Sequence, residues 1–176
     1  MSGNPNEREF KPLQIAVMTV SDTRTEETDK SGNTLAKLLT EAGHVLADKQ
    51  IVPDNIYRIR AVISQWIADD SVNAVITTGG TGITGRDTTP EAVAALFDKQ
   101  IDGFGELFRA VSYEEINTST MQSRAVGGVA NATFIFCLPG STGACRTGWD
   151  KVIGPQLDST TTPCNLVALM PRLLEK

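Results

Sequence analysis

Histidine is almost missing: the 176-residue chain has one, His44, which follows a helix-stop pattern and lies far in sequence from every loop singled out below. A mechanism that turns on a histidine acid or base has little support. The three cysteines, Cys137, Cys145 and Cys164, show no CxxC spacing, and an odd number suits a reduced chain better than a disulfide framework. They are expected to be packing residues, not redox centres or thiolate ligands. Positive charge is also scarce, since 16 Lys and Arg against 21 Asp and Glu leave a net charge of -5. That balance argues against nucleic acid, which needs a basic face, and points to a small ligand. No stretch approaches the ~20 consecutive apolar residues that span a bilayer. The polar start "MSGNPNEREFKP" lacks the apolar segment of a signal peptide. No membrane association is expected, and the chain is read as cytoplasmic. No repeat, linker or low-complexity segment interrupts the pattern, so residues 13–176 are expected to form one domain behind a flexible leader, 1–12.

What is present is an alternation of strand and helix patterns. "LQIAVMTV" (13–20) and "VNAVITT" (72–78) are apolar runs of the kind buried on both faces of a sheet, and "HVLADKQIV" (44–52) is a weaker third. Between them, Ser31 can cap a helix that runs to about Ala42 and stops at Gly43. Ile56, Ile59, Ile63, Trp66 and Ile67 recur at helical spacing. "PEAVAALFDK" and "GELFRAVSYEEIN" read as helices, "AVGGVANATFIFCLPG" as two strand pieces around Asn131, and Thr142 as the cap of a last helix. The alternation implies βαβ units in an α/β fold with a mostly parallel sheet covered on both faces, and the piece near Asn131 adds an antiparallel strand. In such sheets ligands bind beyond the carboxyl ends of the strands. Those ends are Ser21-Asp22, Pro53-Asp54, the glycine loop from Gly79, and "LPGST" (138–142).

The glycine loop, "TTGGTGITGRDTTPEA" (77–92), matches two phosphate motifs incompletely. Gly80, Gly82 and Gly85 spell GxGxxG, but the helix begins only near Thr89-Pro90, too late to meet a dinucleotide pyrophosphate. Gly80 and Gly85 also have P-loop spacing, yet Arg86 and Asp87 stand where lysine and a hydroxyl belong. A bare carboxylate there repels phosphate, unless Asp87 holds Mg²⁺ that bridges phosphate oxygens. The competing reading is a positive-φ turn with Arg86 and Asp87 as a solvated pair. Ser21, Asp22 and Asp54 have a similar alternative as turn caps.

Six pieces in order, "VSDTR" (20–24), "VPDN" (52–55), the loop at 77–92, "GFGE" (103–106), "SRAVGGV" (123–129) and "LPGS" (138–141), resemble the MoaB/MogA family of bacterial molybdenum cofactor biosynthesis proteins. "EEINTSTMQSRAV" and "PGSTGACRTGWD" resemble its MoaB branch. The resemblance implies a three-layer α/β/α sandwich that assembles as a homo-trimer or homo-hexamer. It implies molybdopterin as ligand and, for the adenylyltransferase members, attack of the molybdopterin terminal phosphate on the α-phosphate of Mg-ATP with release of pyrophosphate. Carried over by position, Asp87 and Asp54 become the catalytic carboxylates, with Asp87 on Mg²⁺ and Asp54 on metal or substrate. Gly79, Gly80, Thr81 and Gly82 line the phosphate and pterin pocket, bordered by Ser21 and Asp22; Ser123, Arg124, Pro139, Gly140 and Ser141 complete its wall. Many adenylyltransferases carry Asn-Pro or Gln-Pro where this chain has Ser141-Thr142. A non-catalytic molybdopterin-binding protein of the same pathway is therefore the alternative.

Overall fold

A computed structural model describes residues 8–175 of the chain. Strands β1 (Gln14–Val20), β2 (Val45–Val52), β3 (Ala74–Thr78), β4 (Lys99–Gln100), β5 (Val126–Ala130) and β6 (Thr133–Leu138) form one sheet in the order β2-β1-β3-β6-β5-β4. β1, β2, β3 and β6 run parallel, while β5 is antiparallel to both of its neighbours. The fold is α/β, with helices on each side of a mixed, mostly parallel sheet. Residues along β1 alternate between two cores, as the pleat requires. Ile15 and Val17 join Leu35, Leu39 and Phe108 on one face; Ala16 and Met18 join Ile59, Ile63 and Val93 on the other.

Helix α1 (Lys30–Glu41) supplies Leu35 and Leu39. Its cap is Asp29 and not Ser31, because the Asp29 carboxylate accepts from Gly32 N at 2.9 Å while a second oxygen accepts from Thr19 Oγ1 at 2.8 Å and faces Lys49 Nζ at 3.1 Å. A paired carboxylate two residues earlier wins over a serine hydroxyl. Helix α2 (Ile56–Ala68) starts from Asn55 and packs on the opposite face. Helix α3 (Thr89–Ala94) is shorter than its sequence pattern. Beyond it, Asp98 N bonds Val129 O at 2.8 Å, and Lys99–Gln100 pairs with β5 as a short edge strand, so sheet pairing displaces the helix end. Helix α4 (Asp102–Ile116) begins three residues before Gly105. The β5–β6 hairpin turns at Asn131 and Ala132, both with positive φ, as a two-residue hairpin requires. Helix α5 (Thr142–Gly148) is capped by Ser141, one residue before the Thr142 expected from sequence, and passes through one π-helical turn (Trp149–Ile153) into α6 (Gly154–Leu157).

Of the expected leader, residues 1–7 lie outside the described residues. Arg8 Nη1 donates to Thr161 O at 2.9 Å, Lys11 N to Ser159 Oγ at 2.8 Å, and Phe10 stacks at a tilt on His44. His44 is buried under this segment, where its Nδ1 accepts from Leu13 N at 3.1 Å. Burial holds its pKa below the ordinary value, against the weaker pull of Asp158. Cys137 and Cys145 pack inside, and burial pushes their thiols up to about 12 and about 11. Cys164 departs from the packing role expected of all three, since its loop leaves it exposed. Among the described residues no helix is long and apolar enough to cross a membrane.

The chain leaves β1 for β2 on one side and reaches β3 on the other. This reversal of direction opens a crevice at the carboxyl ends of β1 and β3, where open α/β sheets bind ligands.

Candidate functional site

The floor of the crevice is backbone. Gly79 and Gly80 continue from β3 with φ of +98° and +67°, the left-handed region that favours glycine. A Cβ on Gly79 would stand 2.3 Å from the carbonyl oxygen of Val20, and one on Gly80 would stand 2.3 Å from Thr89 Oγ1 and 2.8 Å from Asp54 Oδ1. The close approach therefore joins the ends of β1, β2 and β3 at one point. The end of β6 joins them through Thr78 Oγ1, which donates to Pro139 O at 2.9 Å. Thr89, at the start of α3, closes the loop by donating Oγ1 to Gly79 O (2.9 Å) and its N–H to Gly80 O (3.0 Å). The N–H groups of Gly80 and Thr81 donate to no backbone carbonyl among the described residues. These two donors, on residues that line the crevice, are left without a backbone partner.

Three carboxylates gather at its rim. Asp54 Oδ1 is buried without a hydrogen-bond partner, and burial together with the charges of Asp22 and Asp87 holds its pKa above the ordinary carboxylate value. Asp87 goes the other way. Its Oδ2 accepts from Thr84 Oγ1 (2.6 Å) and Thr84 N (2.9 Å), and these bonds hold its pKa low. Asp22 is tied to Arg86, whose Nε lies 3.1 Å from Oδ2, while its other oxygen accepts from Asp54 N at 3.0 Å. Among the described residues there is no cluster of three or more His, Cys, Asp or Glu side chains arranged as a metal cage. An orphaned carboxylate oxygen beside a second acid fits Mg²⁺ nonetheless, because that ion keeps several waters and uses one or two carboxylates plus substrate phosphates. Asp54 and Asp87 are the residues that would hold it.

A cavity of about 530 Å³ opens from this floor. Gly79, Gly80, Thr81, Gly82, Asp87, Ser123, Pro139, Gly140 and Ser141, all singled out from sequence, line it. Ser123 Oγ is buried there with no partner. Ser21, Asp22, Asp54 and Arg124 are not in its lining. Ser21 Oγ instead accepts from the N–H groups of Thr23 (3.2 Å) and Arg24 (3.1 Å), which is turn capping. Arg124 is a brace behind the glycine loop: Nε donates to Gly82 O (2.7 Å), Nη2 to Asp87 O (2.9 Å), and Nη1 pairs with Glu91.

Sequence reasoning missed one whole wall. Phe108, Ser112, Glu115 and Ile116 of α4 line the cavity, as do Ser119, Thr120 and Gln122 of the following 3-10 segment (Asn117–Gln122). Gly143, Ala144 and Thr147 of α5 line it as well. The signal was available: Phe108, Ser112, Glu115 and Ile116 share helical spacing, and two polar residues interrupt that stripe.

Comparison with known proteins gives this geometry a family. Residues 16–159 match the family model described as "Probable molybdopterin binding domain". Molybdenum cofactor biosynthesis protein B of Escherichia coli (strain K12) is 58% identical over 157 residues, 89% of this chain and 92% of that protein. A crystal structure of a molybdenum cofactor biosynthesis protein B superposes with TM-score 0.81 at 50% identity, covering 84% of this chain and 92% of that one. A MogA structure does so with TM-score 0.73 at 32% identity, covering 82% and 97%. The chain belongs to the MoaB family of molybdenum cofactor biosynthesis proteins and is built on their molybdopterin-binding domain.

Proposed function

We propose that the cavity holds molybdopterin and that the chain adenylylates its terminal phosphate with ATP. An oxygen of that phosphate forms the new bond to the α-phosphorus of ATP, the bond from that phosphorus to the β-phosphate bridge breaks, and pyrophosphate leaves. A phosphate is already ionised near neutral pH, so no general base is needed, and catalysis reduces to positioning and charge neutralisation. The glycine floor performs the first task, with the N–H groups of Gly80 and Thr81 set to receive phosphate oxygens. Arg124 keeps that floor rigid from behind. Asp54 and Asp87 would serve the second by holding Mg²⁺, which would supply neutralisation of the charge on ATP's phosphates. The observation that carries this reading is the unpartnered Asp54 Oδ1 beside Gly80. A buried carboxylate oxygen with no donor is costly and fits a site that a cation completes. The test is pyrophosphate release from ATP. It should require both Mg²⁺ and molybdopterin, and release that ignores molybdopterin would refute the assignment.

One observation favours binding without turnover. Ser141 of the "PGST" loop and Arg86 are engaged internally, Ser141 by capping α5 and Arg86 by Asp22. On that reading molybdopterin binds and no pyrophosphate appears. A homo-trimer or homo-hexamer with one such pocket per subunit completes the proposal.

A further inference from the structure

The cavity has a second polar end that phosphate chemistry does not use. Apart from Asp87, Glu115 is the only carboxylate in its lining among the described residues. Thr147 Oγ1 lies 3.0 and 2.8 Å from the two Glu115 oxygens, and Lys151 Nζ stands 3.7 Å from one of them. Thr147 is buried, so this hydroxyl is a fixed post, whereas the Glu115 side chain is 44% exposed at the cavity. A single hydroxyl proton occupies one of about four lone-pair positions on the carboxylate, which leaves both oxygens able to accept more. Phe108, Ser112 and Ile116 stand beside it on α4, giving a mostly apolar wall that ends in a carboxylate. Thr147 is six residues beyond Ser141, about 9 Å along α5 from the β6 end of the floor. The glycine floor and Glu115 thus lie at separate places in the lining of one cavity, and a ligand with a phosphate on the floor has room to reach Glu115 with its other end.

We infer that Glu115 reads the 2-amino-4-oxo edge of a pterin ring and that Thr147 is its positioning residue. That edge presents two adjacent donors, the ring N3–H and the 2-amino group, which match the two oxygens of a carboxylate in a bidentate pair. Replacing the 2-amino group by an oxygen, as in a lumazine, turns one donor into an acceptor that faces the carboxylate and repels it. Glu115 then selects pterins over lumazines. The inference rests on the pocket being the molybdopterin site, and the experiment separates the two.

Wild-type protein and Glu115→Gln are titrated with 6-hydroxymethylpterin and with 6-hydroxymethyllumazine, neither of which carries phosphate, by quenching of ligand fluorescence. Wild type should prefer the pterin by about 10-fold or more, the scale of one lost charge-assisted hydrogen bond at a partly exposed site. Glu115→Gln should keep the same thermal midpoint and lose most of that preference, and Glu115→Asp should recover part of it. A purely structural Glu115–Lys151 pair predicts an unchanged preference in Glu115→Gln, which would overturn the inference. Wild type that binds both ring systems equally overturns it as well, while leaving the pocket assignment intact. Wild type that binds neither ring system nor molybdopterin overturns both.

Discussion

Asp54 and Asp87 are the same residue type at one rim, yet their surroundings push them in opposite directions. Asp54 is desolvated and faces two other acids, so its pKa is raised. A raised pKa means that Asp54 contributes stability below its ordinary titration range, and that this is lost as pH rises through the raised value. At neutral pH its charge is a cost. Asp54→Asn should therefore raise the melting temperature at pH 7 and lower turnover. The gain should vanish at a pH low enough to protonate Asp54 in the wild type, and a lower melting temperature at pH 7 would contradict the assignment. Asp87 has a depressed pKa, so its stabilising contribution is present above the ordinary carboxylate pKa and fades only as pH falls through the lower folded value. In Asp87→Asn the amide oxygen can still accept both Thr84 bonds, and the loop should hold its shape. Turnover should fall at least ~100-fold, the effect of losing one preorganised electrostatic contact of about 3 kcal/mol, while molybdopterin binding changes far less. The Arg86–Asp87 pair allowed by the sequence does not form, since Arg86 pairs with Asp22, and an Asp87 that only holds Thr84 predicts full turnover in that variant.

At the scale of elements, the glycine loop is shaped by backbone collisions that one methyl group would create. Gly79→Ala places a Cβ against the Val20 carbonyl at a residue with positive φ, and should cost at least about 3 kcal/mol, a fall of about 6–12 °C in melting temperature. Gly85→Ala, where an added Cβ meets nothing within 4 Å, is the control and should leave the midpoint within about 2 °C. Equal effects at the two positions would show that the loop is not held as described. The strands and the order of the main helices were legible because period-2 and period-3.6 patterns are local. Element ends were less so. Asp29 takes over from Ser31 as cap because Thr19 and Lys49, distant in sequence, hold its carboxylate. Lys99–Gln100 leaves the helical pattern of α3 because β5 offers an edge, and nothing local to residues 90–99 announces it. Four strand ends named from sequence do converge on one crevice. The α4 wall was missed because a helical stripe broken by Ser112 and Glu115 does not by itself say that the break faces a cavity.

For the whole molecule, the sheet reversal sets the cavity, and the exterior carries the remaining expectations. Leu169 and Leu174, in the apolar C-terminal stretch, are exposed on the single chain. The proposed trimer or hexamer would cover such surface. Light scattering at micromolar concentration should report three or six subunits, and a monomer would contradict the proposal. Alkylation of the native protein should modify Cys164 and spare Cys137 and Cys145, whereas the denatured chain reacts at all three; fast native labelling of Cys137 would contradict the core described above.

Adenylyl transfer itself is tested most directly by following the phosphorus. The protein is incubated with molybdopterin, Mg²⁺ and ATP labelled at the α-phosphate, and in a parallel reaction with ATP labelled at the γ-phosphate. Label from the α position should appear on molybdopterin, and label from the γ position should leave as pyrophosphate. Molybdopterin that binds but acquires no label, or acquires it from the γ position, would contradict adenylyl transfer at this site.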